Sequence, residues 1–305
     1  MRKKVSELGE FGLINLIQRG VYCSKEVIRG IGDDAAVLDF VKYRRDSYQL
    51  FTTDMMVEDV HFTRWMKPYL IGQKSLACNI SDIAAMGGVP AAAVVSLGVP
   101  SDLEIRFVKE IYRGMNNLAK RFSVAIVGGD TVKSEKIVIS MALLGWVKRN
   151  KFVTRTGARC GDMIFVTGPL GKSFETGKHL SFTPRISQAQ FLVRHFKPTA
   201  MIDISDGLLA DLGHILNRSQ VGACLYEEKV PRTKNATLKE ALSDGEDFEL
   251  LFTLPQNDGR TLLQMKQKQF LFYHIGEVVE SKNGLVLVNK DASKQIISPP
   301  GFTHF

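Results

Sequence analysis

Residues 71–86 read IGQKSLACNISDIAAM, and the spacing of their apolar side chains predicts an amphipathic helix. Leu76, Ile80 and Ile83 fall on one face of this helix, and alanines occupy much of the remaining surface. The pair Gly87-Gly88 follows at once and suits a left-handed cap, so the helix is expected to end there.

A narrow polar stripe runs along the same helix. Ser75, Asn79 and Asp82 stand at i, i+4 and i+7, so their side chains line up on one side. A carboxylate bordered by small apolar residues either faces a neighbouring domain or ligand, or bonds a nearby backbone group or lysine. The helix alone does not choose between these two interpretations of Asp82.

Strands and helices alternate on both sides of this helix. The predicted strands of the first half are Ala35–Leu38, Gln49–Thr53, Ala91–Leu97, Val124–Val127 and Ile137–Val147, and its other helices are Ser6–Gln18 and Leu103–Phe122. The second half has predicted strands Met163–Thr167, Met201–Ile204, Phe248–Leu254, Phe272–Val279 and Leu285–Val288, and helices Ile186–His195, Asp206–Ser219 and Thr261–Gln267. The polar segment Lys148–Asp162 lies between the two sets. The pattern predicts an α/β (α+β) protein with two modules of similar size, residues 1–147 and 148–305.

Length and composition are those of an ordinary globular protein. The chain has 305 residues, of which 45% are hydrophobic and 24% are charged. No apolar run is long enough to span a bilayer, and Glu7 and Glu10 interrupt the basic N-terminus, which predicts a first helix and no signal peptide. The four cysteines are far apart and form no metal-binding spacing. We therefore expect a cytoplasmic protein with reduced thiols and no membrane partner.

The net charge of +8 permits binding to nucleic acid, but the distribution of the charge argues against it. Basic residues are dispersed along the chain, and the tightest clusters, at residues 42–45 and 266–268, are short. A solvated basic surface is the simpler interpretation, and it predicts no nucleic-acid partner. Such a surface would draw anionic substrates towards the protein.

Aspartates recur in one local setting, beside glycine, serine or threonine. The motifs are Gly32-Asp33-Asp34, Thr52-Thr53-Asp54, Asn79-Ile80-Ser81-Asp82, Gly128-Gly129-Asp130-Thr131 and Asp203-Ile204-Ser205-Asp206-Gly207. A carboxylate near a core is normally paired, solvated or bound to metal. Their repetition from residue 33 to residue 206 suggests carboxylates that converge on several hard cations, and such cations usually accompany a polyphosphate.

Each motif taken alone has a simpler explanation. Gly128-Gly129 could be a turn at the end of a strand that Asp130 caps, although glycine there also permits close approach to a ligand. Ser205 could cap the next helix, with Asp206 in its first turn. Capping does not account for Asp203, and it is the joint occurrence of the motifs that indicates metal.

Familiar nucleotide-binding motifs are absent from the sequence. Gly30-Ile31-Gly32 lacks the third glycine of a dinucleotide fingerprint. Residues 168–173 read GPLGKS, but Val166 stands where a P-loop needs its first glycine. No kinase signature set and no Ser/His/Asp or Cys/His nucleophile arrangement stands out. We interpret residues 168–173 as a glycine-rich loop.

The motifs in their order resemble the thiamine-monophosphate kinases, within the aminoimidazole-ribonucleotide-synthetase-like superfamily. The resemblance covers nearly the whole chain. Besides the aspartate motifs, it includes Gly9-Glu10-Phe11, His61-Phe62, Thr154-Arg155-Thr156-Gly157-Ala158, Gly161-Asp162, Gly245-Glu246-Asp247-Phe248-Glu249-Leu250 and the aromatic C-terminus Gly301-Phe302-Thr303-His304-Phe305. The segment between Gly171 and Pro184 is shorter than in most members, and Asp59 departs from the pattern before His61.

The resemblance implies a two-domain architecture and an activity. The N-terminal domain, with a mixed sheet and helices, would bind metal and ATP and would form a homodimer through its sheet. The C-terminal α/β sandwich would cover the nucleotide and contribute to the substrate site. The activity implied is transfer of the γ-phosphoryl group of ATP, as co-substrate, to thiamine monophosphate, which yields thiamine diphosphate.

The resemblance also implies roles for individual residues. Those expected to bind Mg²⁺, as several ions, are Asp34, Thr53, Asp54, Asp82, Asp130, Asp203 and Asp206. Those expected to contact ATP are Gly129, Asp130, Arg155 and Ser205, and those expected to contact the thiamine substrate are His61, Glu246 and Phe302. Phe302 could stack on a ring of the substrate, and Glu246 could accept a hydrogen bond from it.

The chemistry of the implied reaction is consistent with these residue roles. Donor and acceptor are both phosphates, and two unit charges a few ångströms apart repel by roughly 4 kcal/mol near a protein surface. Magnesium removes that repulsion, and a largely deprotonated monophosphate can attack without a general base. The sequence offers many metal ligands and no convincing base, so we expect no catalytic side chain in the strict sense.

Three other classes of protein remain open at this point. One is another ATP-dependent enzyme of the superfamily, such as a synthetase that activates a carbonyl, an amide or selenide. The second is a non-catalytic module that senses Mg-ATP, and the third is a basic nucleic-acid-binding protein, for which affinity would fall steeply with salt.

Overall fold

The computed structural model describes residues 27–29, 33–39, 45–265 and 270–297. The predicted helix Ser6–Gln18, the Gly30-Ile31-Gly32 motif and Phe302 lie outside these residues. Within them, two sheets and their helices form the α/β architecture that the sequence predicts.

A mixed six-stranded sheet forms the first half of the chain. Its strands are β1 (Val27–Arg29), β2 (Ala36–Leu38), β3 (Ser47–Val57), β4 (Val89–Val99), β5 (Ala125–Lys133) and β6 (Val138–Lys148). Their order is β1-β2-β3-β6-β4-β5. Only the β4–β5 pair of this sheet is parallel, and the other described neighbours are antiparallel.

A second mixed sheet forms the other half. Its strands are β7 (Met163–Val166), β8 (Ala200–Asp203), β9 (Val221–Tyr226), β10 (Leu250–Leu254), β11 (Tyr273–Glu280), β12 (Leu285–Val288) and β13 (Lys294–Ile296). Their order is β13-β12-β9-β11-β7-β10-β8, and among the described pairs β9–β12 alone is parallel. Strands β7, β10 and β8, which lie side by side at one end of this order, are buried at every position, as expected for strands covered on both faces.

Eight described α-helices cover these sheets. They are α1 (Pro68–Ala85), α2 (Ile105–Phe122), α3 (Ser173–Thr176), α4 (Lys178–Ser181), α5 (Ile186–His195), α6 (Leu208–Ser219), α7 (Leu238–Ser243) and α8 (Gln256–Gln264). Among the helices of the described ranges, none is both long and apolar enough to cross a membrane.

Helix α1 packs on both halves of the chain. It contacts α2 and strands β3 and β6 of the first sheet, and also β8, α4 and α5 of the second half. Its close packing on α2 depends on two glycines. A Cβ at Gly72 would lie 1.9 Å from the carbonyl oxygen of Ile111, and one at Gly114 would lie 1.8 Å from that of Tyr69. The two helix backbones therefore approach more closely than any other residue would allow.

The ends of α1 follow from local chemistry. Pro68 occupies the first turn, where its missing N–H costs nothing. Gly87 takes a left-handed φ of 72°, and the N–H groups of Gly87 and Gly88 donate to the carbonyls of Ala84 and Ile83 at 2.8 and 2.9 Å. This is the hydrogen-bond pattern of a Schellman cap, and the predicted glycine stop is confirmed.

Three strands of the first sheet, β3, β4 and β5, are longer than the sequence suggested. Strand β5 is predicted to stop at Val127 but continues through Gly128, Gly129 and Asp130 to Lys133. A Cβ at Gly129 would lie 1.8 Å from the carbonyl oxygen of Val95 in β4, so this glycine serves strand pairing. The predicted strand end at Val127 is wrong, and so is the alternative of a Gly-Gly turn that Asp130 caps, because the parallel pairing with β4 carries the strand onwards.

Candidate active site

A cavity of about 530 Å³ lies where β3 and α1 of the first half meet the loops that follow β8 and precede β10. Six of its lining side chains are carboxylates, namely Asp54, Asp82, Asp203, Asp206, Asp244 and Glu246. Lys74 is the one lysine among the described lining residues. Acidic groups from both halves of the chain therefore share a confined space.

Three buried or half-buried aspartates form the centre of this acidic site. Asp34 precedes β2, Asp82 projects from the last turn of α1, and Asp203 ends β8. One carboxylate oxygen from each lies within 4.8 Å of the others. Oxygen ligands at this spacing are the donor set that Mg²⁺ and Ca²⁺ prefer, so the residues present fit a hard divalent cation.

Hydroxyl groups hold two of these carboxylates in place. Thr52 donates from Oγ1 to Oδ2 of Asp82 at 2.6 Å, and Ser81 donates to Oδ2 of Asp203 at 2.5 Å. Ser81 lies on α1 and Asp203 in the second sheet, so the second bond joins the two halves. Sequence reasoning assigned no role to Thr52 or Ser81, although each belongs to one of the aspartate motifs.

Arg155 provides a further link between the halves. Its Nε and Nη2 atoms donate to the two carboxylate oxygens of Asp34, each at 3.0 Å, and its backbone N–H donates to Asp33 Oδ1 at 2.9 Å. The side chain of Asp34 is fully buried in this arrangement. Bidentate pairing with a fixed guanidinium orients the carboxylate and offsets part of its charge.

The electrostatics of the site favour a bound cation. Burial raises the pKa of Asp54, and together with the nearby charge of Asp34 it brings this pKa to about 6. Burial also holds the pKa of Asp82 and that of Asp203 well above the ordinary aspartate value. Repulsion from Asp54 raises the pKa of Asp82 further, and repulsion from Asp34 raises the pKa of Asp203 further. Crowded carboxylates that resist ionisation are stabilised most by a multivalent cation among them.

These pKa shifts predict that added Mg²⁺ stabilises the protein more at high pH than at low pH. A carboxyl whose pKa is raised in the folded state stabilises that state when it is protonated. The metal-free protein therefore loses this stabilisation as the pH rises from about 4 through about 6, where Asp54 ionises. Mg²⁺ binds the ionised form. Thermal unfolding at about pH 5.5 and pH 7.5 should show a larger Mg²⁺-induced rise in midpoint at the higher pH.

A control with Na⁺ at matched ionic strength separates site binding from general screening. Equal Mg²⁺-induced shifts at both pH values, or equal shifts with Na⁺, would contradict a carboxylate site for divalent cations.

A second group of potential ligands stands at the start of α6. Ligand atoms of Asp206, Asp211 and His214 lie within 4.8 Å of one another. Asp211 is buried, its pKa is raised by burial and then by the charge of Asp206, and its Oδ2 accepts the N–H of Asp206 at 3.1 Å. Sequence reasoning missed Asp211 and His214, which their i, i+3 spacing on a helix places side by side.

The capping explanation of this segment is not what the structure shows. Helix α6 begins at Leu208 after Gly207, which has a φ of 110°, and no side chain caps it. Ser205 and Asp206 precede the helix and line the cavity instead. The glycine conformation replaces the cap because it turns the chain sharply into the helix.

The opposite part of the cavity carries His61, Lys74 and Glu246. The Nζ of Lys74, a side chain only 1% exposed, donates to the carbonyl of His61 at 3.0 Å and to the carboxylate of Glu246. The N–H of Val57 donates to Nδ1 of His61 at 3.1 Å, so a neutral His61 carries its proton on Nε2. The two predicted substrate residues are therefore joined through a lysine that sequence reasoning missed.

Glu246 sits in a strained turn. Glu246 and Phe248 have left-handed φ values of 62° and 50°, which are costly for residues with a side chain. Asp247 between them is buried, accepts the N–H of Gly171 at 2.9 Å and pairs with Lys178 at 3.2 Å. These contacts fix the turn to the loop of residues 168–172, which leads into a helix of four residues and is no P-loop.

Three predicted residues are not brought to the carboxylate centre. The side chain of Thr53 lies on the face of the first sheet opposite to Asp54, because successive residues of a strand alternate. Across the sheet, Met55 pairs with Ser140, Ser140 with Ser96, and Ser96 with Asp130. Asp130 therefore lies three strands from Met55, the neighbour of Asp54, which is roughly 14 Å at ordinary strand spacing. Gly129 accompanies Asp130 on this edge strand, so neither contacts the cluster within one chain.

Other predicted residues have clear positions. Asp54, Asp82, Asp203, Ser205, Asp206, His61 and Glu246 line the cavity, and Asp34 and Arg155 adjoin it through the cluster. Asp59, which departs from the family pattern, pairs with Lys136 at 3.2 Å on the surface and is not among the described cavity-lining residues. Of the polar stripe on α1, only Asp82 faces the cavity, because Ser75 and Asn79 donate to the helix backbone.

Two family models together match most of the chain. The N-terminal domain of AIR synthase related proteins matches residues 32–147, and the C-terminal domain matches residues 160–289. The two sheets and the acidic cavity between them thus define an AIR synthase related protein.

Curated relatives show which family within this class the chain is similar to. A thiamine-monophosphate kinase of Aquifex aeolicus is 36% identical over 99% of this chain and 100% of its own length. A thiamine-monophosphate kinase of Bacillus subtilis is 35% identical over 98% of this chain and 100% of its own length. The chain belongs to the thiamine-monophosphate kinase family. A solved structure described as AaThiL complexed with AMPPCP and TMP superposes over 100% of both chains, with a TM-score of 0.86 and 35% identity.

Proposed function

We propose that the protein transfers the γ-phosphoryl group of ATP to thiamine monophosphate, which yields thiamine diphosphate and ADP. The observation that carries this proposal is the convergence of carboxylates from both halves on a cavity that also holds His61 and Glu246. The family relationship and the relative's complex with AMPPCP and TMP support the same donor and acceptor.

Magnesium is part of the proposal. Asp34, Asp82 and Asp203 would hold the ion or ions at the centre, with Asp54 beside them and Asp206 at the second group. Bound Mg²⁺ would neutralise phosphate oxygens of donor and acceptor and so reduce their repulsion. The hydroxyls of Thr52 and Ser81 keep two of these carboxylates aimed at the same point.

The reaction needs no proton acceptor from the protein. The second pKa of a phosphate monoester is about 6, so the acceptor oxygen is largely ionised at neutral pH. This oxygen forms a bond to the γ-phosphorus of ATP. The bond between that phosphorus and the β,γ-bridging oxygen breaks at the same time, and ADP leaves. The contribution of the chain is to place both phosphates and to exclude other acceptors.

The proposal also assigns a different role to each domain. Residues 1–147 would supply most metal ligands, and residues 148–305 would cover the nucleotide, with Arg155, Ser205 and Gly129 as ATP contacts. The Arg155–Asp34 pair supports this division, because it ties the boundary segment to the cluster. The acceptor would lie towards His61, Glu246 and, from the C-terminus, Phe302. A cytoplasmic location belongs to the same proposal.

A homodimer would explain the position of Asp130 and Thr53. Both lie on the open face of the first sheet, where Phe51, Met55 and Val94 are 43%, 56% and 41% exposed. Apolar side chains on a sheet face that no helix of the described residues covers favour a second copy there. Light scattering should then report about twice the 34.0 kDa mass of one chain.

The direct test of the function is to incubate the protein with ATP, Mg²⁺ and thiamine monophosphate and to measure thiamine diphosphate and ADP. Stoichiometric formation of both products is expected. Thiamine and inorganic phosphate serve as control acceptors and should give neither. ATP binding without turnover on any acceptor would favour the sensing module, and absence of thiamine diphosphate would contradict the kinase.

A further inference from the structure

An aromatic ring stands exposed in the wall of the cavity. Phe174 lies on α3 and is 65% exposed, although it is a large apolar side chain. It lines the cavity together with His61, Glu246 and Phe248. An exposed phenyl ring inside a concave, otherwise acidic site is suited to a flat partner.

His179 backs this ring. The ring centroids of Phe174 and His179 are 4.7 Å apart with an interplanar angle of 20°, which is a stacked arrangement. His179 is 1% exposed, and its Nδ1 lies 3.0 Å from the carbonyl of Ser173. Burial lowers the pKa of His179, so a neutral imidazole supports one face of Phe174 while the other face stays open.

The position of Phe174 is fixed relative to Glu246. Ser173 donates from Oγ to the carbonyl of Glu246 at 2.6 Å. The N–H of Lys172 donates to Oδ2 of Asp244 at 3.0 Å, and Asp244 also lines the cavity. These bonds tie the segment that carries Phe174 to the turn that carries Glu246, so the ring and the carboxylate form one preorganised wall.

We propose that Phe174 is a specificity residue that stacks on a ring of the phosphate acceptor. This inference rests on the proposed function and deepens it. The acceptor is favoured over adenine because Phe174 shares the cavity wall with His61 and Glu246. Of the four predicted ATP contacts, only Ser205 is among the described lining residues, whereas Gly129, Asp130 and Arg155 are not. A thiazolium carries positive charge, and the face of a phenyl ring attracts cations.

The test is to replace Phe174 by Ala and to measure steady-state kinetics for both substrates. The KM for thiamine monophosphate should rise about tenfold, as expected for loss of one stacked aromatic contact, while kcat and the KM for ATP change by less than about twofold. Calorimetric binding of thiamine monophosphate without ATP should weaken by the same factor. Phe174→Trp should keep near-normal affinity because it preserves the aromatic face.

Leu271→Ala is the matched control, because Leu271 is 71% exposed and does not line the cavity. It should leave both KM values unchanged. An unchanged acceptor KM in Phe174→Ala, or a rise confined to the KM for ATP, would overturn the role of Phe174. A wild-type protein that makes no thiamine diphosphate would instead overturn the proposed function, so the two failures are distinguishable.

Discussion

Asp82→Asn is expected to lower kcat/KM for phosphoryl transfer by about 100- to 1,000-fold, the range seen when one preorganised electrostatic group is removed. The amide keeps the shape of the side chain and can still accept the bond from Thr52. What it removes is one negative charge from a centre that also contains Asp34 and Asp203. Divalent-ion affinity and turnover should therefore fall together.

The same variant should not be less stable without metal. The pKa of Asp82 is raised by burial and by its acidic neighbours, so its ionised form opposes folding at neutral pH. The thermal midpoint of metal-free Asp82→Asn at about pH 7.5 should equal or exceed that of the wild type. Asp102→Asn, at an exposed position outside the cavity, is the matched control for both measurements. Activity within about threefold of the control would contradict the role of Asp82.

Lys74→Met is expected to lower the free energy of unfolding by about 3 kcal/mol. This is the low end of the range for a broken buried ion pair, because the side chain of Glu246 is 30% exposed. Lys74 itself is 1% exposed and also binds the carbonyl of His61. Methionine fills much of the same volume, so loss of packing contributes little. The change leaves Glu246 without its ammonium partner in a cavity that already holds five aspartates.

A double-mutant cycle with Glu246→Gln isolates this interaction. Denaturant unfolding should show that Lys74→Met/Glu246→Gln recovers at least about 1 kcal/mol relative to the sum of the single variants. The single Lys74 variant should also raise the KM for thiamine monophosphate, because the positions of His61 and Glu246 both depend on Nζ. Additive single effects in this cycle would mean that the pair is not coupled.

The fold was largely predictable because its elements have strong local signals. The apolar spacing and the glycine pair defined α1 to within three residues at each end, and strand β12 and helix α5 match their predictions. Strand β9, at Val221–Tyr226, was missed because its run is short and begins directly after α6. The extent of β5 was also missed, since pairing with β4 overrides the usual meaning of two glycines.

The site was predictable where aspartates stand in distinctive motifs and unpredictable where a contact depends on the meeting of distant segments. Asp34, Asp82 and Asp203 were singled out from sequence, and the structure brings them together. Lys74 carries no motif of its own, and its role emerges only because the turn at Glu246 packs over α1. Phe174 follows the glycine-rich loop of residues 168–173 and belongs to no motif, so its place in the cavity wall could not be predicted.

A structure with Mg²⁺, a non-hydrolysable ATP analogue and thiamine monophosphate would show whether the three carboxylates hold metal between the two substrates. Metal density is expected about 2.0–2.1 Å from carboxylate oxygens of Asp34, Asp82 and Asp203, between the phosphates of the two substrates. A complex in which the nucleotide binds elsewhere, while these three carboxylates keep only protein partners, would contradict this expectation.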